Sequence, residues 1–216
     1  MPVDSPAYPV NLLLDGRPVL VVGGGAVAAS KVRGLLAAGA VVHVVSLEVS
    51  EEVRALEVTW EERPYAAGDV EGYRLAVACT DASAVNQAVF DDGEAAGVWV
   101  NAADDPDRCS YTLPARLDRS RLLVTVSTSG HSPALAGWLR DELALAIGPE
   151  HDTLLGLLTE ARAELAEKGQ ARPPADWRQA LDSGMLDLIR SGRVAEAREV
   201  LRTSLHLGAP PPMETR

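Results

Sequence analysis

The sequence predicts an α/β fold in which a parallel sheet comes first and helices close the chain. Three observations carry the prediction. Short β-branched runs alternate with Ala- and Leu-rich stretches of helical length as far as Asn101, a glycine cluster separates the first run from the first helix, and beyond Gly148 every patterned stretch is helical. Such alternation implies parallel strands joined by right-handed crossover helices, with both faces of the sheet covered.

The chain opens with Pro9 to Pro18, where Asp15-Gly16 reads as a turn and Asn11 to Leu14 as a packing segment. Val19 to Val22 is an apolar run too short for a helix, and it enters Gly23-Gly24-Gly25. Ala26 to Ala38, with its basic pair Lys31 and Arg33, reads as a helix that Gly39 ends, and Val41 to Val45 as the second strand.

The register Gly23-x-Gly25-x-x-Ala28 fits the dinucleotide fingerprint G-x-G-x-x-G/A. Gly23 permits the tight turn, Gly25 lets the backbone approach a pyrophosphate, and Ala28 lets the helix lie close to the strand. The helix N-terminus adds free N–H groups and partial positive charge. Alone the fingerprint is weak; inside a βαβ unit of about 30 residues it is in the context that confirms it. About 20 residues past the glycines, where an acid would hold the ribose hydroxyls of NAD, the chain reads Val45-Ser46-Leu47-Glu48. Ser46 or backbone groups of Leu47 and Glu48 are the replacements, and with no Lys or Arg before Arg54 to receive a 2′-phosphate, NAD is favoured over NADP.

Glu48 to Leu56 then reads as helix, Glu57 to Trp60 as a short strand and Arg63 to Asp69 as a loop. Arg74 to Asp81 is a buried strand with a polar end, Ala82 to Ala96 a helix closed by Gly97, and Val98 to Asn101 the next strand. Ligands of such sheets bind beyond the carboxyl ends of the strands, which is where Gly23 to Gly25, Ser46, Thr80 and Asn101 to Asp104 converge. Cys79 reads as a buried strand residue; Cys109, after a polar turn, is less constrained. The four His residues show no metal spacing, so no protein-bound metal is expected.

Past Asp104 the character changes. Asp105 to Asp107 is a turn, and Ser110 to Leu113 and Leu122 to Ser127 read as strands. From Arg108 to Arg121 there are four arginines against one acid, Asp118. Arg116, Arg119 and Arg121 suit a substrate with several carboxylates; a solvated face or a subunit contact explains them equally well. Ser127 to Leu135 leads into a helix running to Ile147, with Ser132 as N-cap and Pro133 at its first position. A hydroxyl-rich loop there also receives anions, which makes Ser132 a substrate-binding candidate, although capping alone accounts for it. Helices are expected from His151 to Lys168, Trp177 to Arg190 and Val194 to Leu205.

With 216 residues, the expected domains are 1–105, a nucleotide-binding Rossmann-like domain; 106–148, a small α+β dimerisation and substrate-cleft segment; 149–207, a helical C-terminal domain; and 208–216, a flexible tail. With 20 basic against 31 acidic residues the net charge is −11, which disfavours nucleic-acid and anionic-membrane binding. No apolar run approaches the ~18 residues of a membrane span and no export signal is legible at Met1 to Val10, so a cytoplasmic protein is expected.

Taken together, Val22 to Lys31, Ala78-Cys-Thr-Asp81, Val85-Asn86, Val100-Asn-Ala-Ala-Asp104, Leu113-Pro114 and Ser127-Thr-Ser-Gly-His-Ser-Pro133 resemble the precorrin-2 dehydrogenase family, which includes the N-terminal module of siroheme synthases. The likeness covers Tyr8 to Ile147, and the helical tail is similar in kind. It implies oxidation of precorrin-2 to sirohydrochlorin with NAD as hydride acceptor, in a homodimer; some members also insert Fe²⁺ to give siroheme. The family's key acid falls on Asp104, and its cofactor contacts on Gly25, Ala26, Val27, Leu47, Glu48, Thr80 and Asn101. No role carries over to His131. Two other readings stay open: a dehydrogenase for another polyanionic substrate, and a non-enzymatic NAD or tetrapyrrole sensor.

Overall fold

The computed structural model describes residues 6–103, 105–171 and 174–207. The expected tail, 208–216, lies outside them. Two compact units are observed. One runs to Leu113 and takes in Thr128–Ser132; the other holds Pro114–Ser127 and the chain from Pro133 on.

The first unit is built on a five-stranded sheet of β1 (Pro18–Val22), β2 (Val41–Ser46), β3 (Thr59–Glu62), β4 (Leu75–Ala78) and β5 (Trp99–Ala102). The order is β3-β2-β1-β4-β5 with every pair parallel, so the strand sequence reverses between β1 and β4. Side chains alternate across a strand. Val19 and Val21 therefore join one buried cluster, with Ala28, Val32, Val44, Val53 and Val77, while Leu20 and Val22 join another with Ala76, Ala78, Val89 and Val100. Helices α1 (Ala26–Ala37) and α2 (Glu51–Arg54) cover the first face and α3 (Ser83–Ala96) the second. Gly39 ends α1 at φ 77°, with Gly39 N–H on Leu36 and Ala40 N–H on Leu35, the paired bonds of a Schellman cap.

Several elements differ from expectation. The helix expected from Glu48 shrinks to the single turn of α2, because Ser50 caps it from its own side chain and the residues before it fold onto the glycine loop. Ser110 to Leu113 is not a strand. Asn101 holds it as a return segment, through an isolated bridge to Cys109 and a 3.0 Å bond from its amide to the Tyr111 carbonyl. The strand falls instead on β6 (Ala115–Arg119), an antiparallel hairpin with β7 (Leu122–Val126). In β6 Leu117 is buried while Arg116 and Asp118 point outward, and the two-residue turn puts Ser120 at φ 54°.

The second unit continues through α4 (Pro133–Ala146), α5 (Glu150–Glu167), α6 (Pro174–Leu181), α7 (Met185–Arg190) and α8 (Val194–Ser204). Leu157, Ala161, Leu165, Met185, Ile189, Ala197 and Leu201 form the core of its helical part. The single helix expected from Trp177 to Arg190 is broken in two at Gly184, whose φ of 82° no helix accommodates.

Candidate functional site

The site is the carboxyl edge of the parallel sheet, beside the reversal between β1 and β4. Its three glycines have three different reasons. A Cβ on Gly23, at φ 121°, would lie 2.5 Å from the Cys79 carbonyl oxygen, so β4 passes too close for a side chain. One on Gly24 would lie 2.1 Å from the Glu48 carbonyl oxygen. Gly25 faces nothing within 4 Å: it is bare on the open side, where a ligand approaches.

Helix α1 starts next to it with no side-chain cap and no acid in its first turn. Ala26 and Val27 are exposed there, whereas Ala28 is fully buried against the strand. Open backbone, uncapped N–H groups and the positive end of a helix dipole together fit a pyrophosphate.

After β2 the chain folds back over the glycines. Ser46 donates its hydroxyl to the Glu48 carbonyl at 2.7 Å, and Ser50 N–H reaches the Gly24 carbonyl at 2.9 Å. The Ser46 proton is thereby spent, leaving its oxygen as acceptor, while Leu47 and Glu48 are exposed. Arg54, the first basic residue after this strand, donates to Glu62 at 2.5 Å and to the Val49 carbonyl at 3.0 Å. The Arg54 guanidinium and the Val49 N–H hold the Glu62 carboxyl below its usual range. Arg54 is thus committed within the protein, and the loop offers no cation to a 2′-phosphate.

Thr80 and Asn101 lie past β4 and on β5. The Thr80 hydroxyl donates to the Asn86 side-chain oxygen at 2.8 Å, and Asn86 donates back to the Thr80 carbonyl at 2.9 Å. Asn86, buried on α3, entered the sequence reading only as part of a motif and was given no role; the signal for one is a polar residue at helical spacing with the buried Val89 and Gly93. Asn101 is buried too, and its amide is engaged by Tyr111.

Asp104 lies outside the described residues. Around it, Ala103 N–H bonds the Ala78 carbonyl at 2.8 Å, and Arg108 pairs with Asp105 and donates to Gln87 at 2.6 Å. The Cys109 thiol donates to the Ala102 and Asp105 carbonyls at 3.3 and 3.2 Å, and burial pushes its pKa up.

Ser132 belongs to the loop Thr128–Ser132 that groups with this unit. Its N–H donates to the Thr128 hydroxyl at 3.1 Å, which donates in turn to the Ser132 carbonyl at 3.0 Å, and α4 begins at the next residue. The three arginines belong to the second unit, where each has partners. Arg119 donates to the Ile147 and Ala144 carbonyls at 3.1 and 3.5 Å, Arg121 pairs with Asp152 at 3.4 Å, and Arg116 pairs with Asp118 at 3.2 Å. Among the described residues no three His, Cys, Asp or Glu side chains gather as a metal site, and no helix is long and apolar enough to cross a membrane.

Comparison with known proteins agrees with this geometry. Residues 10–115 match a family model described as "Putative NAD(P)-binding". The chain is 38% identical over 205 residues to siroheme synthase of Azotobacter vinelandii, covering 91% of this chain and 44% of that protein. It is 37% identical over 200 residues to siroheme synthase of Methylococcus capsulatus, covering 89% and 42%. The chain thus spans less than half the length of these relatives. Among solved structures it resembles SirC, precorrin-2 dehydrogenase, with a TM-score of 0.72 and 26% identity, covering 93% of this chain and all of that one.

Proposed function

The chain belongs to the precorrin-2 dehydrogenase family, and from that premise we propose that it oxidises precorrin-2 to sirohydrochlorin at the carboxyl edge of its sheet. The observation that carries this reading is the glycine loop: Gly23 and Gly24 are closed by neighbouring backbone, and Gly25 alone opens onto the uncapped start of α1. NAD is the cofactor, and when bound it supplies the hydride acceptor. Gly25, Ala26 and Val27 hold its pyrophosphate, while Ser46, Leu47 and Glu48 hold the adenosine ribose.

What falls to the chain's own residues is orientation and the proton. Dehydrogenation removes a hydride and a proton from the macrocycle, and a base must take the proton. Asp104 is that base, two residues past β5 in the sequence. Thr80 and Asn101, at the carboxyl edge of the sheet and each fixed by side-chain bonds within the unit, would orient the cofactor there. The substrate carries many carboxylates, and Arg116, Arg119, Arg121 and Ser132 are its candidate contacts, completed by a second copy of the chain in a homodimer. The domain division follows the same reading: 1–105 binds the cofactor, 106–148 builds the cleft and the dimer contact, and 149–207 is the helical domain.

Anaerobic absorbance with precorrin-2 and NAD⁺ tests the proposal. Sirohydrochlorin and NADH appear in equal amounts, and Asp104→Ala loses turnover while keeping NAD⁺ affinity. Binding of NAD⁺ with no oxidation of precorrin-2 sinks it. Adding Fe²⁺ to the product then reads chelation as a separate activity, by the rate of siroheme formation above the spontaneous one.

A further inference from the structure

We propose that Asn86 is a positioning residue for the cofactor: it spends the Thr80 hydroxyl proton inside the protein, so that this oxygen serves the nicotinamide half of NAD as an acceptor only; this role rests on the cofactor placement above.

Asparagine is a poor helix former, and a buried amide is costly unless it is bonded. Asn86 nevertheless stands in the first turn of α3, only 7% exposed. What holds it there is Thr80. Strand β4 ends at Ala78, and the Cys79 N–H still bonds the Val22 carbonyl of β1 at 2.8 Å. Thr80, the next residue, has left the sheet, and Asn86 serves its backbone. The Thr80 N–H donates to Asn86 Oδ1 at 3.2 Å, and Asn86 Nδ2 donates to the Thr80 carbonyl at 2.9 Å. These two bonds fix which end of the amide is the oxygen.

The state of the hydroxyl follows from that orientation. Thr80 Oγ1 lies 2.8 Å from Asn86 Oδ1 and 3.2 Å from the Ala82 carbonyl, both acceptors, and 3.2 Å from the Ala82 N–H, which donates to it. Its one proton therefore goes to an internal acceptor, of which Asn86 Oδ1 is the nearer, and one of its two lone pairs goes to Ala82. A single lone pair remains. Thr80 is half-buried rather than enclosed, and that lone pair is what its side chain can offer a ligand.

Thr80 also borders the glycine turn, because the carbonyl oxygen of Cys79 before it lies 2.5 Å from where a Cβ on Gly23 would be. Strand β1 has β2 on one side and β4 on the other. With the pyrophosphate at Gly25 and the adenosine ribose past β2, the nicotinamide half extends over the end of β4. That half carries two kinds of donor, the carboxamide N–H and the hydroxyls of its ribose, and an acceptor-only oxygen takes either. A freely rotating threonine hydroxyl would serve donors and acceptors alike. The bond to Asn86 removes that ambiguity, and the amide's two backbone bonds hold the oxygen in place before the cofactor arrives.

The test is calorimetric titration of the intact protein with NAD⁺, ADP-ribose and ADP, for wild type, Asn86→Ala, Thr80→Val, Thr80→Ser and the double variant Asn86→Ala/Thr80→Val. Asn86→Ala weakens NAD⁺ binding about tenfold, the scale of one hydrogen bond. Thr80→Val, which leaves the Asn86 bonds to the backbone in place, weakens it several-fold. Thr80→Ser, which has a hydroxyl, recovers most of that loss, and the double variant binds no worse than Asn86→Ala, because the two residues act as one. ADP stops short of the second ribose, and its affinity stays within about twofold of wild type in every variant. ADP-ribose keeps the second ribose and lacks the ring: a loss matching that of NAD⁺ assigns the donor to the ribose, and an unchanged affinity assigns it to the carboxamide. Unchanged NAD⁺ affinity in Asn86→Ala, equal losses for NAD⁺ and ADP, or additive losses in the double variant each overturn the role. No tetrapyrrole enters the titration, so failure of precorrin-2 oxidation leaves these readings standing. A wild-type protein that binds neither NAD⁺ nor ADP overturns the cofactor placement and the role of Asn86 with it.

Discussion

The carbonyl oxygen of Glu48 stands 2.1 Å from where a Cβ on Gly24 would lie, while the same position on Gly25 is empty to 4 Å. Two neighbouring glycines therefore answer to different forces. Gly24→Ala drives a methyl into backbone that is itself tied down by the Ser50 to Gly24 bond. Overpacking of that kind costs about 1–3 kcal/mol or more, so its melting temperature falls and NAD⁺ binding falls with it. Gly25→Ala, at φ −87°, folds with stability within about 1 kcal/mol of wild type. It loses NAD⁺ affinity by about tenfold or more, because the methyl occupies ligand space. Calorimetric titration alongside thermal melting separates the two variants, and equal melting temperatures would refute the distinction.

Arg119 and Arg116 look alike in the sequence and differ in the fold. Arg119 satisfies carbonyls at the C-terminal end of α4, whereas Arg116 pairs with Asp118 with both side chains more than half exposed. Arg119→Ala leaves helix-end carbonyls without their donor and lowers stability by about 1–2 kcal/mol. Arg116→Ala changes it by about 0.5 kcal/mol or less. Urea denaturation checks both values. If Arg116→Ala nonetheless raises the KM for precorrin-2, that arginine is the substrate contact of the hairpin.

The same contrast marks what was legible in the sequence. The succession β1-α1-β2 could be read because it depends on local signals: β-branched runs, a glycine turn, and Gly39 as helix stop. The constraint on Gly24 comes from Glu48, a long way down the chain, and no local pattern carries it. Strand β6 was missed because its outward face is charged, so Arg116 to Arg119 looked like a patch rather than an alternation about Leu117. Ser110 to Leu113 has the composition of a strand, but the buried Asn101 amide claims its backbone first. The burial of Asn86 and its bond to Thr80 were not legible even though the motif holds it, since an asparagine in a helix is ordinarily on the surface.

Cys79 sits beneath the glycine loop, donates to the Val22 carbonyl at 3.4 Å, and is pushed up to about 12 by burial. A thiol with that pKa is almost wholly protonated near pH 8, and the thiolate is the reactive form. Cys109 is buried, and its pKa is raised for the same reason. Native protein treated with iodoacetamide at about pH 8 therefore gives little carbamidomethylation at either cysteine by mass spectrometry, while protein unfolded in urea is labelled at both. Rapid labelling of Cys79 in the native state would mean that the β4 end opens away from the glycine loop.

In the helical domain, Glu164 accepts from Arg202 at 2.5 Å and from Lys168 at 2.6 Å, and these bonds lower its pKa from 4.5 to about 2. A carboxyl depressed by folding contributes stability that is fully present above its unfolded value and is lost as pH falls through the folded one. The window is thus from about pH 4.5 down to about pH 2. Arg202 is itself buried, so a neutral residue at position 164 removes the carboxylate that its guanidinium donates to at 2.5 Å. Glu164→Gln should therefore be less stable than wild type at neutral pH, with the gap narrowing as the wild-type carboxylate is protonated. Hydrogen exchange of the α8 amides in both proteins, followed from pH 7 towards pH 3 after correction for intrinsic rates, measures that gap where the pair acts. A gap that stays constant across the window would show that the destabilisation comes from packing at this position rather than from the charge of Glu164.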